Sequence, residues 1–410
     1  MVVLNLFSVC LFAFISSYVQ SLASAEDLKL EARMLPCDLI KYHGYPCEIT
    51  HATTEDGYIL DVFRIAHGIQ GNASRVNDES QRRLPLLLVP SLMAPVDEYF
   101  WNLPSQSPGF LFADNGFDVW AMCVRENQPY VRHKKLSQED PKFWQFSFDE
   151  MGRYDVAAAI DHVLNATGAT KLTILGYSQG TLSNFILHST RPEYSEKVSL
   201  FIAYAPIGNI THIGLPLKLI LPYVPSLLKL VYPFTLGGYL GSSHGLQELF
   251  SAACSILWSV PCGIGTALTG TFSPEQLNKT RVPVYAGRFL LGTTVQNFLH
   301  FYQIYKAKNL VMYDHGKDEN RRRYGQVTPP PYPIERIKVP IAMFSSQGDV
   351  LADTADVTDL AYRLGTSLVF HRVVPQASFT HQDFVSGNRA NDFLHNTAIE
   401  LAKKYSAHNP

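Results

Sequence analysis

The chain has 410 residues and a formal net charge of -2, with Lys+Arg at 34 against Asp+Glu at 36, so it offers no overall positive field for the phosphate backbone of nucleic acid. Hydrophobic residues make up 46% and charged residues 17%, and Gly and Pro number only 26 and 25, which excludes collagen-like, low-complexity and disordered classes. The length allows a large core and roughly two to three domains, and no period of 20 to 50 residues is visible, so solenoids and propellers are excluded too.

Residues 1–25 carry no charged side chain, and the apolar stretch from Val2 to Ile15 is broken only by Asn5 and Ser8. It is shorter than the roughly 20 residues a spanning helix needs, and Ala23-Ser24-Ala25 before Glu26 has the small-x-small form of a cleavage site. A removed signal peptide is expected; an uncleaved anchor is the alternative, because a basic start is missing. Secretory entry gives meaning to N-x-Ser/Thr sequons at Asn72, Asn165, Asn209 and Asn278, each a candidate glycan site. Cys10 leaves with the signal, so Cys37, Cys47, Cys123, Cys254 and Cys262 remain, and an odd number in an oxidising compartment leaves at least one free thiol. Sequence alone does not settle the pairing; the shortest spacings favour Cys254 with Cys262, then Cys37 with Cys47, leaving Cys123 free.

Beyond the leader, Ile49 to Ile65 reads as a hairpin with Glu55-Asp56-Gly57 at its turn. A polar linker over residues 67 to 83 leads into Leu84 to Val89, a continuous apolar run of the kind buried on both faces of a parallel sheet, and Phe117 to Met122 is a second. From Asp149 to Leu164, apolar residues recur near the 3.6 period and predict an amphipathic helix. A strand at Lys171 to Leu175, a helix at Thr181 to His188 and a strand at Val198 to Tyr204 continue the alternation of a doubly wound α/β sheet. Ile341 to Ser345 and Leu368 to Val374 read as further core strands, and Asn391 to Tyr405 as a closing helix.

Residues 206 to 334 have a different texture and read as an insertion, dividing the chain into a first core part at 26–205, a cap at 206–334 and a second core part at 335–410. From Leu215 to Leu240 only Lys218 and Lys229 are charged, and prolines stand at 216, 222, 225 and 233. Four prolines forbid one straight spanning helix, so short helices with an apolar surface are expected. They are either buried cap core or a lipid-facing lid.

The chemistry centres on Gly176-Tyr177-Ser178-Gln179-Gly180, a G-x-S-x-G placed where an apolar strand ends and a helix begins. That sharp turn lifts a serine hydroxyl above the sheet edge, and the flanking glycines avoid clashes at so tight a bend. Serine needs a base and the base an orienting carboxylate, in the order Ser, Asp, His. Asp349 follows the strand ending near Ser345, ahead of its rivals Asp353 and Asp356, which read as helix-start acids. Of 14 histidines, His381 stands in the loop after the last strand, whereas His371 lies inside that strand and reads as structural. An acyl oxyanion needs backbone N–H donors: Gln179 after the serine, and Leu92 in Val89-Pro90-Ser91-Leu92-Met93, since Pro90 has no N–H to give. No metal or organic cofactor is expected, as neither CxxC nor H-E-x-x-H occurs.

With these residues in place, nearly all of residues 38 to 405 resembles the acid lipase family, the gastric and lysosomal acid lipases and their relatives in the α/β-hydrolase superfamily. The likeness is carried by Gly57-Tyr58-Ile59-Leu60, Asn115 to Trp120, Phe143 to Met151, the elbow Gly176 to Gly180, Gly348 to Asp353 and His381 to Phe384, with Gly292 to Asn297 and Tyr313 to Asn320 in the insertion. The resemblance implies an α/β-hydrolase fold, a Ser178, Asp349 and His381 triad, Leu92 and Gln179 as oxyanion donors, a lidded cap and a cap disulfide between Cys254 and Cys262. It departs at two places: Pro90-Ser91 stands where the family has His-Gly, and Met122-Cys123-Val124-Arg125-Glu126 where it has Gly-Asn-x-Arg-Gly. The expected activity is hydrolysis of neutral-lipid esters, triacylglycerol or sterol ester, by a secreted or lysosomal monomer at a lipid–water interface, with no transmembrane span. A non-catalytic lipid-binding protein and an esterase of small soluble esters are the alternatives.

Overall fold

The computed structural model describes residues 27–28, 30–70, 83–235, 238–241, 273, 275–288 and 291–407. The expected signal peptide, the sequon at Asn72 and both Cys254 and Cys262 lie outside the described residues. Cys37 is bonded to Cys47 across a Cα–Cα distance of 5.4 Å, and Cys123 is a buried free thiol.

Among the described residues, nine strands form one sheet: β1 (Glu48–Thr53), β2 (Tyr58–Ile65), β3 (Leu84–Val89), β4 (Phe117–Met122), β5 (Val131–His133), β6 (Leu172–Tyr177), β7 (Val198–Tyr204), β10 (Ile341–Ser346) and β11 (Leu368–Val374). Strands β8 (Tyr239–Gly241) and β9 (Gly292–Thr294) make a separate antiparallel pair. The order is β1-β2-β4-β3-β6-β7-β10-β11, with β5 beside β2. Strands β4, β3, β6, β7, β10 and β11 run parallel, while β2 pairs antiparallel with β4, with β5 and, through the predicted hairpin, with β1. Of the two runs predicted to be buried on both faces, β4 is buried at every residue and β3 at every residue but Leu84; β6, β7 and β10 are buried throughout as well. Strand β11 differs from the expectation of a core strand. It closes the sheet edge, and Val369, His371 and Val373 are exposed on alternate positions, so one of its faces is left open.

The helices among the described residues include α1 (Pro108–Asp114), α2 (Ala157–Thr167), α3 (Gln179–Thr190), α4 (Val295–Ala307), α5 (Thr354–Leu364) and α6 (Asn396–Ala407). Helix α2 is the predicted amphipathic helix, entered through a capping box in which Ser147 and Glu150 satisfy each other's backbone ends. Its first turns, Met151–Val156, widen to π geometry, which sequence periodicity does not reveal. The same happens at Asn391–His395 ahead of α6.

Part of the segment between β7 and β10 packs into the core, where Ile304, Leu310, Val311, Tyr332 and Ile334 are buried. Its helical run Leu217–Phe234 alternates α and 3-10 turns, and Pro222, Pro225 and Pro233 fall at first-turn positions where no N–H is needed. The expected short helices therefore join end to end. The run is 18 residues long with a mean hydropathy of 1.2, long and apolar enough to cross a membrane by length and composition, yet only 6% of it is buried.

The loop after β4 is tied down by Arg125, a fully buried guanidinium. It forks onto Asp155 beneath α2, with Nε and Nη2 at 2.9 and 2.7 Å from Oδ1, and reaches Asp56 in the hairpin turn at 2.7 Å. The guanidinium also lies 4.2 Å over the Tyr58 ring. Removing one partner of a buried pair strands the other charge, at a cost of about 3–5 kcal/mol. Arg125→Met is therefore expected to lose about that much stability in urea unfolding; a loss below about 1 kcal/mol would show that the cluster carries no such weight.

Candidate active site

The sharp turn between β6 and α3 is where the sequence places it. Ser178 has φ 52 and ψ -118, a conformation side-chain-bearing residues avoid, and its N–H donates to Tyr204 O at 3.0 Å. The glycines are required by contact. A Cβ on Gly180 would sit 2.3 Å from Val89 O, and one on Gly176 would sit 3.0 Å from the Gly180 backbone.

Three distant segments meet at this turn. His381, from the loop after β11, places Nε2 at 2.8 Å from Ser178 Oγ and Nδ1 at 2.8 Å from Asp349 Oδ2. Asp349, in the loop after β10, accepts the N–H groups of Leu351 and Ala352 on its other oxygen, at 2.9 and 3.0 Å. The Tyr177 hydroxyl donates to His381 O at 2.9 Å and steadies that loop. Asp349 and His381 are both buried. The rivals stand elsewhere: Asp353 caps α5 through Ala355 N, and Asp356 pairs with His212. His371 lies on β11 with Nε2 at 2.9 Å from Ser345 Oγ. Such a chain of hydroxyl, imidazole and carboxylate can move a proton off serine and hold the imidazolium that results.

The two expected oxyanion donors adjoin this turn. Gln179 is the first residue of α3, where a backbone N–H has no partner within the helix. In the loop after β3, Ser91 N donates to Glu98 Oε1 at 2.6 Å and Met93 N to Glu126 Oε1 at 3.0 Å. The intervening Leu92 N–H has no acceptor among the described residues. Met93 adopts φ 57, which bends the loop back, and its carbonyl accepts Leu291 N at 2.8 Å.

Sequence reasoning passed over the carboxylates that hold this loop. Glu98 and Glu126 are both buried; Glu98 also accepts the Ser91 hydroxyl at 2.7 Å, which gives the unusual Ser91 a use. Glu126 accepts Gln179 Nε2 at 3.0 Å and Thr293 Oγ1 at 2.5 Å. Asn297 on α4 bridges the same group, with Nδ2 donating to Gln179 Oε1 at 2.8 Å and Oδ1 accepting Phe148 N at 2.8 Å. The only signal was two acids, Asp97 and Glu98, inside an apolar run, and an acid at 126 where the resembling family has glycine.

Among the other predicted positions, Asn165 is exposed near the end of α2, Asn278 is half-buried and donates to Asn102 and Gln106, and Asn209 is buried with Oδ1 accepting Thr211 N. Among the described residues, no group of three or more His, Cys, Asp or Glu is placed to hold a metal ion.

Burial pushes the Glu98 carboxyl up to about 8, against the Ser91 hydrogen bonds that pull it down. It pushes Glu126 up to about 7, against bonds from Thr293, Met93 and Gln179. Glu150 and Asp383 are raised by burial to about 7 as well. These groups keep protons in the folded chain that the unfolded chain has released, so their contribution is complete below about 4.5 and is lost as pH rises through 7 to 8. Buried His188, His300 and His395, depressed by burial, act oppositely, but only below their ordinary value of 6.5. The melting temperature is therefore expected to fall between pH 6.5 and 8.5, and to fall less in Glu98→Gln; a flat or rising wild-type profile over that window would contradict this.

Comparison with known proteins places the geometry in a lineage. The family model "Partial alpha/beta-hydrolase lipase region" matches residues 37–103. The chain is 34% identical over 378 residues to lipase member K of Mus musculus, covering 91% of this chain and 92% of that protein. It is 36% identical over 381 residues to gastric triacylglycerol lipase of Bos taurus, covering 90% and 91%. It is 36% identical over 378 residues to lysosomal acid lipase/cholesteryl ester hydrolase of Macaca fascicularis, covering 92% of each. Among solved structures, the candidate lipase Lip1 of Acinetobacter baumannii superposes with a TM-score of 0.52 at 11% identity, covering 91% of this chain and 96% of that one, which is a likeness of fold. The chain thus belongs to the acid lipase family of the α/β-hydrolases, with the gastric and lysosomal lipases.

Proposed function

We propose that this chain hydrolyses carboxylic ester bonds of neutral lipids with Ser178 as nucleophile, His381 as general base and Asp349 as the group that orients the imidazole. The observation that carries the reading is the pair of 2.8 Å contacts joining Ser178, His381 and Asp349 from three separate loops. His381 Nε2 takes the Ser178 proton as Oγ attacks the ester carbonyl, and the oxyanion forms against the Leu92 and Gln179 N–H groups. The alcohol departs with the proton from His381. Water, deprotonated by His381, then attacks the acyl-serine; the bond to Ser178 Oγ breaks as Oγ takes the proton back from His381, and the fatty acid is released. A non-catalytic lipid carrier has no physical need of this arrangement.

The chain is a serine ester hydrolase of the secretory route, extracellular or lysosomal, as its gastric and lysosomal relatives indicate. The Cys37–Cys47 bond fits that oxidising setting. Residues 26–205 and 335–410 are read as the catalytic core and 206–334 as a cap. Triacylglycerol is the favoured substrate, with sterol ester second; relatives are named for each.

Within the cap, Leu217–Phe234 is read as the part that meets the lipid surface. Leu215, Leu219, Tyr223, Leu227 and Leu230 are all exposed, an apolar face that a chain in water would otherwise bury, while Leu228 turns inward. The segment Val224–Val231 packs against α4, whose Asn297 touches the Gln179 side chain, so the lipid-facing helix is mechanically continuous with the site. Replacing Leu219, Leu227 and Leu230 together by Ser is expected to cut fatty-acid release from a long-chain triglyceride emulsion about tenfold or more while leaving a soluble short-chain ester within about twofold. Equal loss on both substrates, or no loss on the emulsion, would overturn the lipid-surface reading.

A further inference from the structure

An oxyanion hole works only if its donors are aimed before the charge forms, and a donor lost from such a hole costs about 100- to 1000-fold in rate. Here the two donors come from different elements, the loop after β3 and the first residue of α3, so something must hold them in register. The loop is bent by the left-handed Met93 and carries the side-chain-bearing Ser91, both of whose polar groups are bound by Glu98, so its backbone does not fix the aim alone.

Glu126 touches both elements at once. Its Oε1 accepts Met93 N, one residue beyond the Leu92 donor, and Gln179 Nε2, the side chain of the other donor, each at 3.0 Å. Its Oε2 accepts Thr293 Oγ1 at 2.5 Å and Asn297 Nδ2 at 3.4 Å, both from the segment between β7 and β10. Its own position is fixed from behind by Arg125, whose backbone N–H and guanidinium both bind Asp155. On the far side of Leu92, Glu98 holds Ser91 through two bonds, so the donor is suspended between two buried carboxyl groups.

We propose that Glu126 is a positioning residue of the oxyanion hole, its Oε1 holding Met93 and Gln179 in one register so that the Leu92 and Gln179 N–H groups converge on the same oxygen. The proposal rests on the triad reading given above. It gives the buried Glu126 a function that its four hydrogen bonds explain. Glu126 never touches the ester; it acts through Met93 and Gln179. A misaimed donor weakens the transition state and leaves ground-state binding alone, so the effect falls on kcat rather than KM.

The experiment measures kcat and KM on a soluble p-nitrophenyl ester, and the affinity of an alkylboronic acid, for wild type, Glu126→Ala, Glu126→Asp, Glu126→Gln and Ser178→Ala, with the melting temperature of each. In the boronate complex Ser178 Oγ bonds to boron as its proton passes to His381, and a boron-bound oxygen takes the oxyanion position. Glu126→Ala is expected to lower kcat about 10- to 100-fold with KM within about twofold, and to weaken the boronate by a similar factor. Glu126→Asp, which keeps the carboxyl group but withdraws its oxygens, is expected to fall in the same direction and serves if the alanine variant does not fold. Glu126→Gln keeps an acceptor facing Met93 and is expected to recover most of the lost kcat. Unchanged kcat in Glu126→Ala or Glu126→Asp, a loss confined to KM, or a boronate affinity that stays constant while kcat falls would overturn the proposal alone. Hydrolysis and boronate binding that persist in Ser178→Ala, or are absent from wild type, would overturn the triad reading and the proposal with it.

Discussion

The site depends on one close approach: the backbone of the turn after β6 lies against the end of β3, so near that any side chain at position 180 would overlap Val89 O. That contact brings the strained Ser178 and the loop carrying Leu92 to the same edge of the sheet. The parallel pairing of β3 with β6 sets it, since Val89 stands opposite Gly176 in register. Strain at Ser178 is sustained because β6 is buried along its whole length between β3 and β7 and has no freedom to relax.

Much of this was legible in the sequence. Continuous apolar runs at Leu84–Val89 and Phe117–Met122 read as buried strands, and the G-x-S-x-G after the strand at Lys171 to Leu175 located the nucleophile turn. Asp349 and His381 followed from chain order, because residues just past parallel strands gather at one sheet edge. Helix α2 was visible as periodicity, and the hairpin of β1 and β2 as a Glu55-Asp56-Gly57 turn between stretches rich in Thr, Ile, Tyr, Val and Phe.

What was not legible has a common cause. Glu98 and Glu126 read as ordinary acids until the fold carries Ser91, Met93, Gln179 and Thr293 to them, across separations of up to 167 residues. Period-based reading likewise cannot see the π turns at Met151–Val156 and Asn391–His395, where the helix continues with altered spacing. Strand β11 carried the hydrophobicity of a core strand, and only the fold shows that it closes the sheet with the face of Val369, His371 and Val373 left open. The two departures from the acid lipase pattern looked independent in the sequence. In the fold, Ser91 and Glu126 lie on either side of Leu92, and both are bound into the same hydrogen-bonded loop.

The central claim is that Ser178 is a nucleophile activated by His381, and covalent capture tests it most directly. A p-nitrophenyl alkylphosphonate should release one equivalent of nitrophenolate per chain and leave one phosphonyl group, which peptide mass mapping should place on Ser178. In His381→Ala the labelling rate should fall by about three orders of magnitude or more. A phosphonyl group on another residue, or labelling at an undiminished rate in His381→Ala, would contradict the account.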